Sequence, residues 1–227
     1  MKHDRASTEI WVALSEQNRI EGMLMIYKNS ALQLRGSVDA VDVLLDRLNL
    51  DKAEIQCETE HSGLILKKYK NVKKASEIIL MTLHKGEETL KTKQPTARLS
   101  ASDAEDIATL MRREDPDWWG DTTAELIASR MDQRLWLGIK VNGRLVSVGG
   151  AAVDDWASNI GTVVTDEHYR NRGYATTIVS ALVKQILKKS NLSLIHVESN
   201  NEPATRVYSK VGFKPYKTYF LVKVEGQ

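Results

Sequence analysis

The sequence predicts a mixed α/β (α+β) fold, with a mostly antiparallel sheet flanked by helices, arranged as two consecutive halves. Strand-like and helix-like segments alternate along all 227 residues. A second observation is a hairpin signal in the later half, where Asn142-Gly143 can take both positive-φ positions of a type I′ turn. A third is the succession of a strand, a tight turn and an amphipathic helix between residues 159 and 189.

Charge and composition exclude several classes of function. The chain has 32 Lys and Arg against 30 Asp and Glu, a formal charge of +2, so nothing drives it toward nucleic acid or an acidic membrane. The lysine run between residues 67 and 74 is typical of a solvated face. No run of about 18 apolar residues could span a membrane, and an apolar signal segment is lacking at the start. We expect a cytoplasmic protein with neither a nucleic-acid nor a membrane partner.

The cysteine and histidine content predicts neither an internal disulfide nor a metal site. Cys57 is the single cysteine, and it ends a strand-like segment, where a lone buried thiol is more often packing than chemistry. The five histidines are scattered, and no Cys/His set has metal-ligand spacing. We therefore expect no bound metal.

The chain divides into two predicted domains, residues 1–95 and 96–227. The elements of the first are strands at 10–14, 22–27, 31–36 and 53–57 and a helix from 38 to 48 that Ser37 can cap. A lysine- and glutamate-rich stretch follows, with one apolar patch at 78–81. It ends in the linker-like segment 91–95, which marks the predicted boundary.

The second domain repeats the order of hairpin, strand, turn, helix and strand, a weak signal of an internal repeat. Its predicted elements are a helix carrying Ile107, Leu110 and Met111, a helix at 123–131, a hairpin at 135–150, a strand at 159–165, a helix at 176–189, a strand at 192–197, one more helix and a strand at 218–224.

The most informative segment is the turn before the long helix, which has the pattern Arg-x-x-Gly-x-Ala. The first turn of a helix has unpaired N–H groups and a partial positive charge, and together these form an anion site. Gly173 lets a phosphate approach the main chain without a Cβ in the way, and Ala175 is nearly as small. Arg170 and Arg172 add charged donors. A pyrophosphate is the anion best matched to this turn.

A second pattern, Asn-x-x-Ala-x-x-x-Tyr-x-x-x-Gly-Phe, follows the next strand. Its five fixed positions are Asn201, Ala204, Tyr208, Gly212 and Phe213. In this order and at this separation, the two segments resemble the coenzyme-A site of the GNAT acyltransferase superfamily. The resemblance covers about 98–227, with its specific motifs between residues 163 and 213. It implies the GNAT fold, acetyl-CoA as donor and a small-molecule or peptide amine as acceptor.

The resemblance also implies particular site residues. The strand before the turn pairs with the pantetheine amides, the turn holds the pyrophosphate, and an asparagine and a tyrosine lie near the thioester. The implied cofactor-binding residues are Val163, Val164, Thr165, Arg170, Asn171, Arg172, Gly173, Tyr174, Ala175, Thr176 and Asn201. The tyrosine is Tyr208.

The C-terminal part is also similar to the GNAT domain of glycine N-acyltransferase-like proteins, in which a degenerate GNAT-like half comes first. This similarity implies that residues 1–95 form the degenerate half. The Arg-x-x-Gly-x-Ala pattern is missing there, with Leu34-Arg35-Gly36 in its place. We expect no cofactor in that half.

The implied reaction is direct attack of an amine on the thioester. Tyr208 can protonate the leaving thiolate, because a phenol has a pKa of about 10 and a thiol about 8.5; the other interpretation is a packing residue of an amphipathic helix. Glu198 is the first candidate for the base, and His196 shares its strand face; a salt-bridged or solvated role fits either equally. The further candidates are Asp154, Asp155 and Glu167.

Other interpretations stay open at this point. Trp118 and Trp119, beside carboxylates, could hold an amine by cation–π contacts or close the core over a loop. The chain as a whole could be an N-acetyltransferase or a non-catalytic CoA-binding module with the GNAT fold. Its first half could also serve as a homodimer surface, which is compatible with both.

Overall fold

The computed structural model describes residues 7–48 and 52–225, which fall into two compact units. The first unit comprises the described parts of Lys2–Ile79 and Lys217–Gln227, and the second is Leu80–Tyr216. None of the helices within the described ranges is long and apolar enough to cross a membrane.

The first unit is a sheet with helices packed on its apolar face. Its elements are β1 (Thr8–Leu14), β2 (Ile20–Tyr27), β3 (Ala31–Gly36), α1 (Val38–Asp46), β4 (Lys52–Cys57), α2 (Ser62–Lys68), most of β5 (Val72–His84) and the end of the last strand, β11 (Lys214–Glu225). The strand order is β1-β2-β3-β4-β11-β5. Leu24, Leu34, Val41 and Ile55 are fully buried in its core. Ser37 caps α1 as predicted, since its hydroxyl accepts the Ala40 N–H at 3.3 Å.

Strand β5 was only partly recognisable in the sequence. The predicted apolar patch, Ile78–Met81, is the middle of a 13-residue strand that begins at Val72. Its first half alternates half-buried and exposed side chains and carries two lysines, so it has the period of a strand without apolar character.

The second unit contains the predicted hairpin, strand, turn and helix. Its remaining elements are β6 (Ala97–Arg98), α3 (Ala104–Glu114), α4 (Pro116–Trp119), α5 (Ala124–Ala128), β7 (Leu135–Val141), β8 (Arg144–Ala152), β9 (Ser158–Thr165), α6 (Tyr174–Ile186), β10 (Leu192–Glu198) and α7 (Glu202–Val211). The strand order is β5-β10-β9-β8-β7-β6. The β7–β8 hairpin is confirmed, with φ of 52° at Asn142 and 80° at Gly143.

Helix α6 is buried on more than its apolar side. Gly149 of β8 lets it lie close to the sheet, because a Cβ there would come within 2.4 Å of Ile178. Thr177 and Ser180 are also fully buried. Their hydroxyls accept the main-chain N–H groups of Lys93 at 3.3 Å and Lys91 at 3.0 Å. The helix therefore has a second, polar contact face.

The segment predicted as a linker, residues 91–95, forms part of the chain that packs on this polar face of α6. Besides Lys91 and Lys93, the Lys85 N–H donates to the Asn191 carbonyl at 2.9 Å and the Thr89 N–H to the Val211 carbonyl at 2.8 Å. We call residues 85–95 the strap. Because the strap belongs to the second unit, that unit begins at Leu80 and not at the predicted boundary after residue 95.

Candidate active site

Strands β9 and β10 run side by side for only part of their length. Their parallel pairing joins Ser158–Ile160 to Ser193–Ile195. Beyond it, β9 continues to Thr165 and β10 to Glu198 without further pairing between them. The side of β9 that faces β10 therefore keeps main-chain donors and acceptors for an extended, amide-bearing ligand. We call this opening the strand gap.

A bulge in β9 lies where the strand gap opens. Thr162 pairs with Gly150 of β8 and Ile160 with Ala151, so Gly161 is the extra residue. A bulge bends its strand and increases the local twist, which accounts for the parting of two strands at this point. The sequence carried one signal for it, an isolated glycine inside a strand pattern.

The three predicted strand residues line the start of the gap. Val163 and Thr165 are half-buried, whereas the Val164 side chain packs into the core beneath α3. The Ser147 hydroxyl donates to the Val164 carbonyl at 3.2 Å, and the Thr165 hydroxyl oxygen lies 2.8 Å from the Ser147 hydroxyl oxygen. These bonds from β8 fix the end of β9 directly before the turn.

The turn predicted to hold a pyrophosphate leads directly into α6. Gly173 is the residue before the helix and has φ of 82°, a left-handed conformation that favours glycine. A Cβ there would meet no atom within 4 Å, so the space above it is open to a ligand. Tyr174, Ala175 and Thr176 form the first helical turn and are half-buried. Their N–H groups have no intrahelical acceptor, as expected at a helix start.

The two arginines of the turn are already engaged. Arg170 donates through Nη2 to Glu114 and through Nε to the Thr165 carbonyl at 3.3 Å. Arg172 donates to the His168 carbonyl at 3.2 Å and lies over the Tyr169 ring at 5.2 Å. Both stay substantially exposed, and so does Asn171, whose φ is 62°. The arginines thus stabilise the turn as well as adding positive charge to it.

An ion cluster beneath the turn was missed by the sequence analysis. Asp166 is fully buried and paired with Arg113 at 2.9 Å and Arg144 at 2.8 Å. Burial favours the neutral acid, but the His168 N–H and the two guanidiniums outweigh it and hold the pKa of Asp166 below its usual value. No sequence spacing links these residues, which come from three separate elements.

A groove of about 410 Å³ lies beside Arg113 and Arg144. It is lined by the outer face of α3 and by the β7–β8 hairpin, and none of its lining residues belongs to the turn or to β10. We therefore place the candidate active site at the strand gap and not in this groove.

The residues after β10 form the start of α7. The Asn201 N–H donates to the Glu198 carbonyl at 2.9 Å. The Asn201 side-chain oxygen accepts the Ala204 N–H at 3.1 Å and so caps the helix. A contact between Asn201 and a cofactor would therefore use its Nδ2. Glu198 is half-buried and His196 exposed, consistent with one shared face of β10.

Tyr208 lies on the inner side of α7. It is 7% exposed, and its ring contacts Phe213 edge to face with centroids 6.3 Å apart. Burial raises the pKa of the Tyr208 phenol above its usual value, so the group is protonated at neutral pH. The packing role and the proton-donor role both fit this position.

The other predicted residues are distributed around the second unit. Trp119 packs against the core of α3 and α5, and Trp118 meets it edge to face at 6.3 Å. Asp154 and Asp155 are in the β8–β9 loop, and Glu167 is exposed in the turn after β9.

The first unit has a similar pair of partly separated parallel strands, and the Arg35 side chain bridges them. Strands β3 and β4 are parallel, joined by α1, and paired over Ala31–Gln33 only. The Arg35 guanidinium donates to the Gln56 carbonyl at 3.2 Å and lies over the Tyr219 ring at 4.4 Å. The first of these contacts occupies the Gln56 carbonyl, a main-chain acceptor at the end of the β3–β4 pairing.

Comparisons with a protein family and with solved structures identify the fold. Residues 137–222 match the model of the FR47-like protein family. A structure of an acetyltransferase from the GNAT family of Novosphingobium aromaticivorans is 16% identical, with a TM-score of 0.64 and coverage of 90% of this chain and 88% of that one. A GCN5-related N-acetyltransferase from Kribbella flavida is 13% identical, with a TM-score of 0.63 and coverage of 98% and 91%.

A Drosophila protein is also similar, at 11% identity and a TM-score of 0.76, with coverage of 96% of this chain and 79% of that one. No curated protein matches the sequence. These likenesses confirm the predicted GNAT fold, and the FR47-like match covers the strands, turn and helices of the candidate site. The similarity to glycine N-acyltransferase-like proteins stays a prediction.

Proposed function

We propose that the chain is an acetyl-CoA-dependent N-acetyltransferase whose acceptor is a small-molecule or peptide amine. The observation that carries this proposal is the strand gap between β9 and β10, which opens directly before the left-handed Gly173 turn at the start of α6. The exposed main chain of β9 suits the pantetheine amides, and the N–H groups of α6 suit the pyrophosphate. The GNAT-fold relatives support the same activity.

In the proposed reaction, the amine nitrogen attacks the thioester carbonyl. A C–N bond forms, the C–S bond breaks, and the acetyl group moves to the amine. Tyr208 donates its proton to the departing thiolate, and a base takes the proton lost by the amine. Glu198 is our first choice for that base, and His196 on the same strand face is the second.

The base matters most for a strongly basic acceptor. At pH 7, removing the proton from a lysine amine costs about 4.6 kcal/mol, whereas an α-amine costs about 1 kcal/mol. Activity on α-amines that survives the change Glu198→Gln, with activity on lysine lost, would assign the base to Glu198.

Release of the CoA thiol across a panel of amines tests the proposal. The comparison is wild type against Tyr208→Phe, with Tyr216→Phe as the control because Tyr216 is 71% exposed. We expect Tyr208→Phe to lower kcat by about 10²-fold or more with KM for acetyl-CoA nearly unchanged. If the chain binds CoA but releases no CoA thiol from acetyl-CoA with any amine, it is a non-catalytic CoA-binding module and not an enzyme. If it does not bind CoA, both interpretations are wrong.

A further inference from the structure

His61 in the first unit is a buried side chain whose ring nitrogens make no hydrogen bond within the described residues. It lies in the short 3-10 turn Thr59–His61 between β4 and α2, and its side chain is 0% exposed. Neither ring nitrogen has a hydrogen-bond partner in the part of the chain that the structure describes. Buried imidazoles normally satisfy both nitrogens, so this ring calls for a partner from outside the protein.

Two carboxylates lie next to this imidazole. One ligand atom from each of Glu58, Glu60 and His61 can be chosen so that all three are within 4.8 Å of one another. The Nε2 atom of His61 is 3.6 Å from Oε1 of Glu60. The turn that gathers them is closed by the main chain, since the His61 N–H donates to the Glu58 carbonyl at 3.0 Å.

These spacings approach those of a metal centre. With zinc–nitrogen and zinc–oxygen bonds of about 2.0–2.2 Å, two ligands of a tetrahedral zinc ion are about 3.4 Å apart. The His61–Glu60 pair already has nearly this separation. A carboxylate oxygen of Glu58 lies within 4.8 Å of both of these ligand atoms.

The surroundings of Glu58 orient its carboxylate. Lys217 donates to Oε1, and the Gly36 N–H donates to Oε2 at 3.5 Å. Such outer contacts position first ligands in known metal sites. Glu60 is 65% exposed, so an ion and its water ligands can reach the site from solvent.

We propose that Glu58, Glu60 and His61 bind a divalent first-row transition metal. One imidazole nitrogen and two carboxylate oxygens suit zinc and its neighbours, whereas calcium and magnesium prefer oxygen alone. The sequence analysis expected no metal because it found no Cys/His set with metal-ligand spacing, and it did not consider carboxylates beside a single histidine. Glu58 directly follows Cys57, the last residue of β4, and Glu198 is the last residue of β10. The proposed ion in the first unit would therefore lie at the end of β4, and the candidate base of the second unit lies at the end of β10.

Zinc binding to the untagged full chain, stripped with a chelator, tests the site. Calorimetry should show one ion per chain for the wild type. Glu60→Gln should weaken zinc binding by about tenfold or more, because it removes an exposed ligand without disturbing the core. Glu16→Gln, which changes an exposed glutamate of the same unit, should bind zinc like the wild type.

Cobalt supplies a second readout that depends on ligand geometry. The cobalt-loaded wild type should show visible absorption bands of a low-symmetry site, and these should vanish in Glu60→Gln and in His61→Asn. His61→Asn alters a buried residue and can lose the fold, so Glu60→Gln decides the outcome. Absence of zinc binding and of cobalt bands in the wild type, or equal zinc affinity of Glu60→Gln and the wild type, would overturn the site.

Discussion

The Arg170 guanidinium donates a hydrogen bond to the Glu114 carboxylate, tying the turn before α6 to the last residue of α3. Glu114 also accepts from Arg113 at 3.0 Å and from the Glu167 N–H at 3.3 Å. The turn is therefore held in shape before any ligand binds. For the pyrophosphate site that we propose at this turn, such preorganisation would reduce the conformational entropy lost on binding.

The buried carboxylate of Asp166 should stabilise the fold at neutral pH. Because its pKa is lowered in the folded state, this contribution is present above the unfolded value of about 3.9 and is lost as the pH falls through the folded value. We expect Asp166→Asn to lower the free energy of unfolding at pH 7 by about 1.5–3 kcal/mol, measured by urea denaturation. The difference from wild type should shrink below about pH 4.

The control for Asp166 is Asp132→Asn, which changes an exposed carboxylate of the same unit. It should leave the free energy of unfolding within about 0.5 kcal/mol of the wild type. Equal stability of Asp166→Asn and the wild type at pH 7 would show that the ion cluster does not stabilise the fold.

Gly173→Ala should weaken CoA binding more than it weakens the fold. An alanine with φ of 82° costs about 1–2 kcal/mol, and its Cβ would occupy the space proposed for the pyrophosphate. Gly143→Ala is a matched control, since Gly143 has φ of 80° and equally open surroundings but belongs to the hairpin turn. Calorimetry should give a CoA Kd raised about tenfold or more for Gly173→Ala alone. Similar CoA affinities for the two variants would rule out the turn as the phosphate site.

Ser180→Ala should loosen the strap. It removes the acceptor of the Lys91 N–H, at a cost of about 0.5–1.5 kcal/mol. Hydrogen exchange followed by mass spectrometry should show faster exchange in residues 89–93, with Ser209→Ala, an exposed serine of α7, as the control. Unchanged exchange in the strap would mean that the hydroxyl of Ser180 does not anchor it.

Cys57 should not react with thiol reagents in the native protein. It is fully buried, and burial raises the pKa of its thiol to about 12, so the reactive thiolate is scarce at neutral pH. We expect a colorimetric disulfide reagent to detect no thiol in the native chain and one after denaturation. Rapid labelling of the native chain would show that the first unit opens around β4.

Local sequence signals predicted those parts of the structure that short-range chemistry controls. Asn142-Gly143 predicted its turn because few other pairs tolerate two positive φ angles. The turn that contains Gly173 was predicted between a strand and a helix, although Gly173 was singled out for its missing Cβ and not for its left-handed φ. The limits of α6 differ by two or three residues, since Tyr174 already belongs to the helix and Lys188 and Lys189 lie beyond its end.

Features that depend on distant partners were not readable. The strand gap exists because β9 and β10 stop forming main-chain pairs beyond Ile160 and Ile195. In the sequence, the isolated Gly161 was its single signal. The strap resembled a linker because its stabilising bonds go to Thr177 and Ser180, more than 80 residues away. The first half of β5 was not recognised because Lys73, Lys74 and Glu77 deprive it of apolar character, although its side chains alternate between half-buried and exposed positions.

The division of β5 and β11 between the two units has a practical consequence. Each of these strands has residues in both units, so a single cut in the chain cannot release either unit intact. A fragment starting at residue 96 would lack Leu80–His84 and the strap, and would carry residues 220–225 without the β4 partners that pair with them here. Truncation is therefore a poor way to isolate the second unit, and point substitutions in the intact polypeptide are the sounder route.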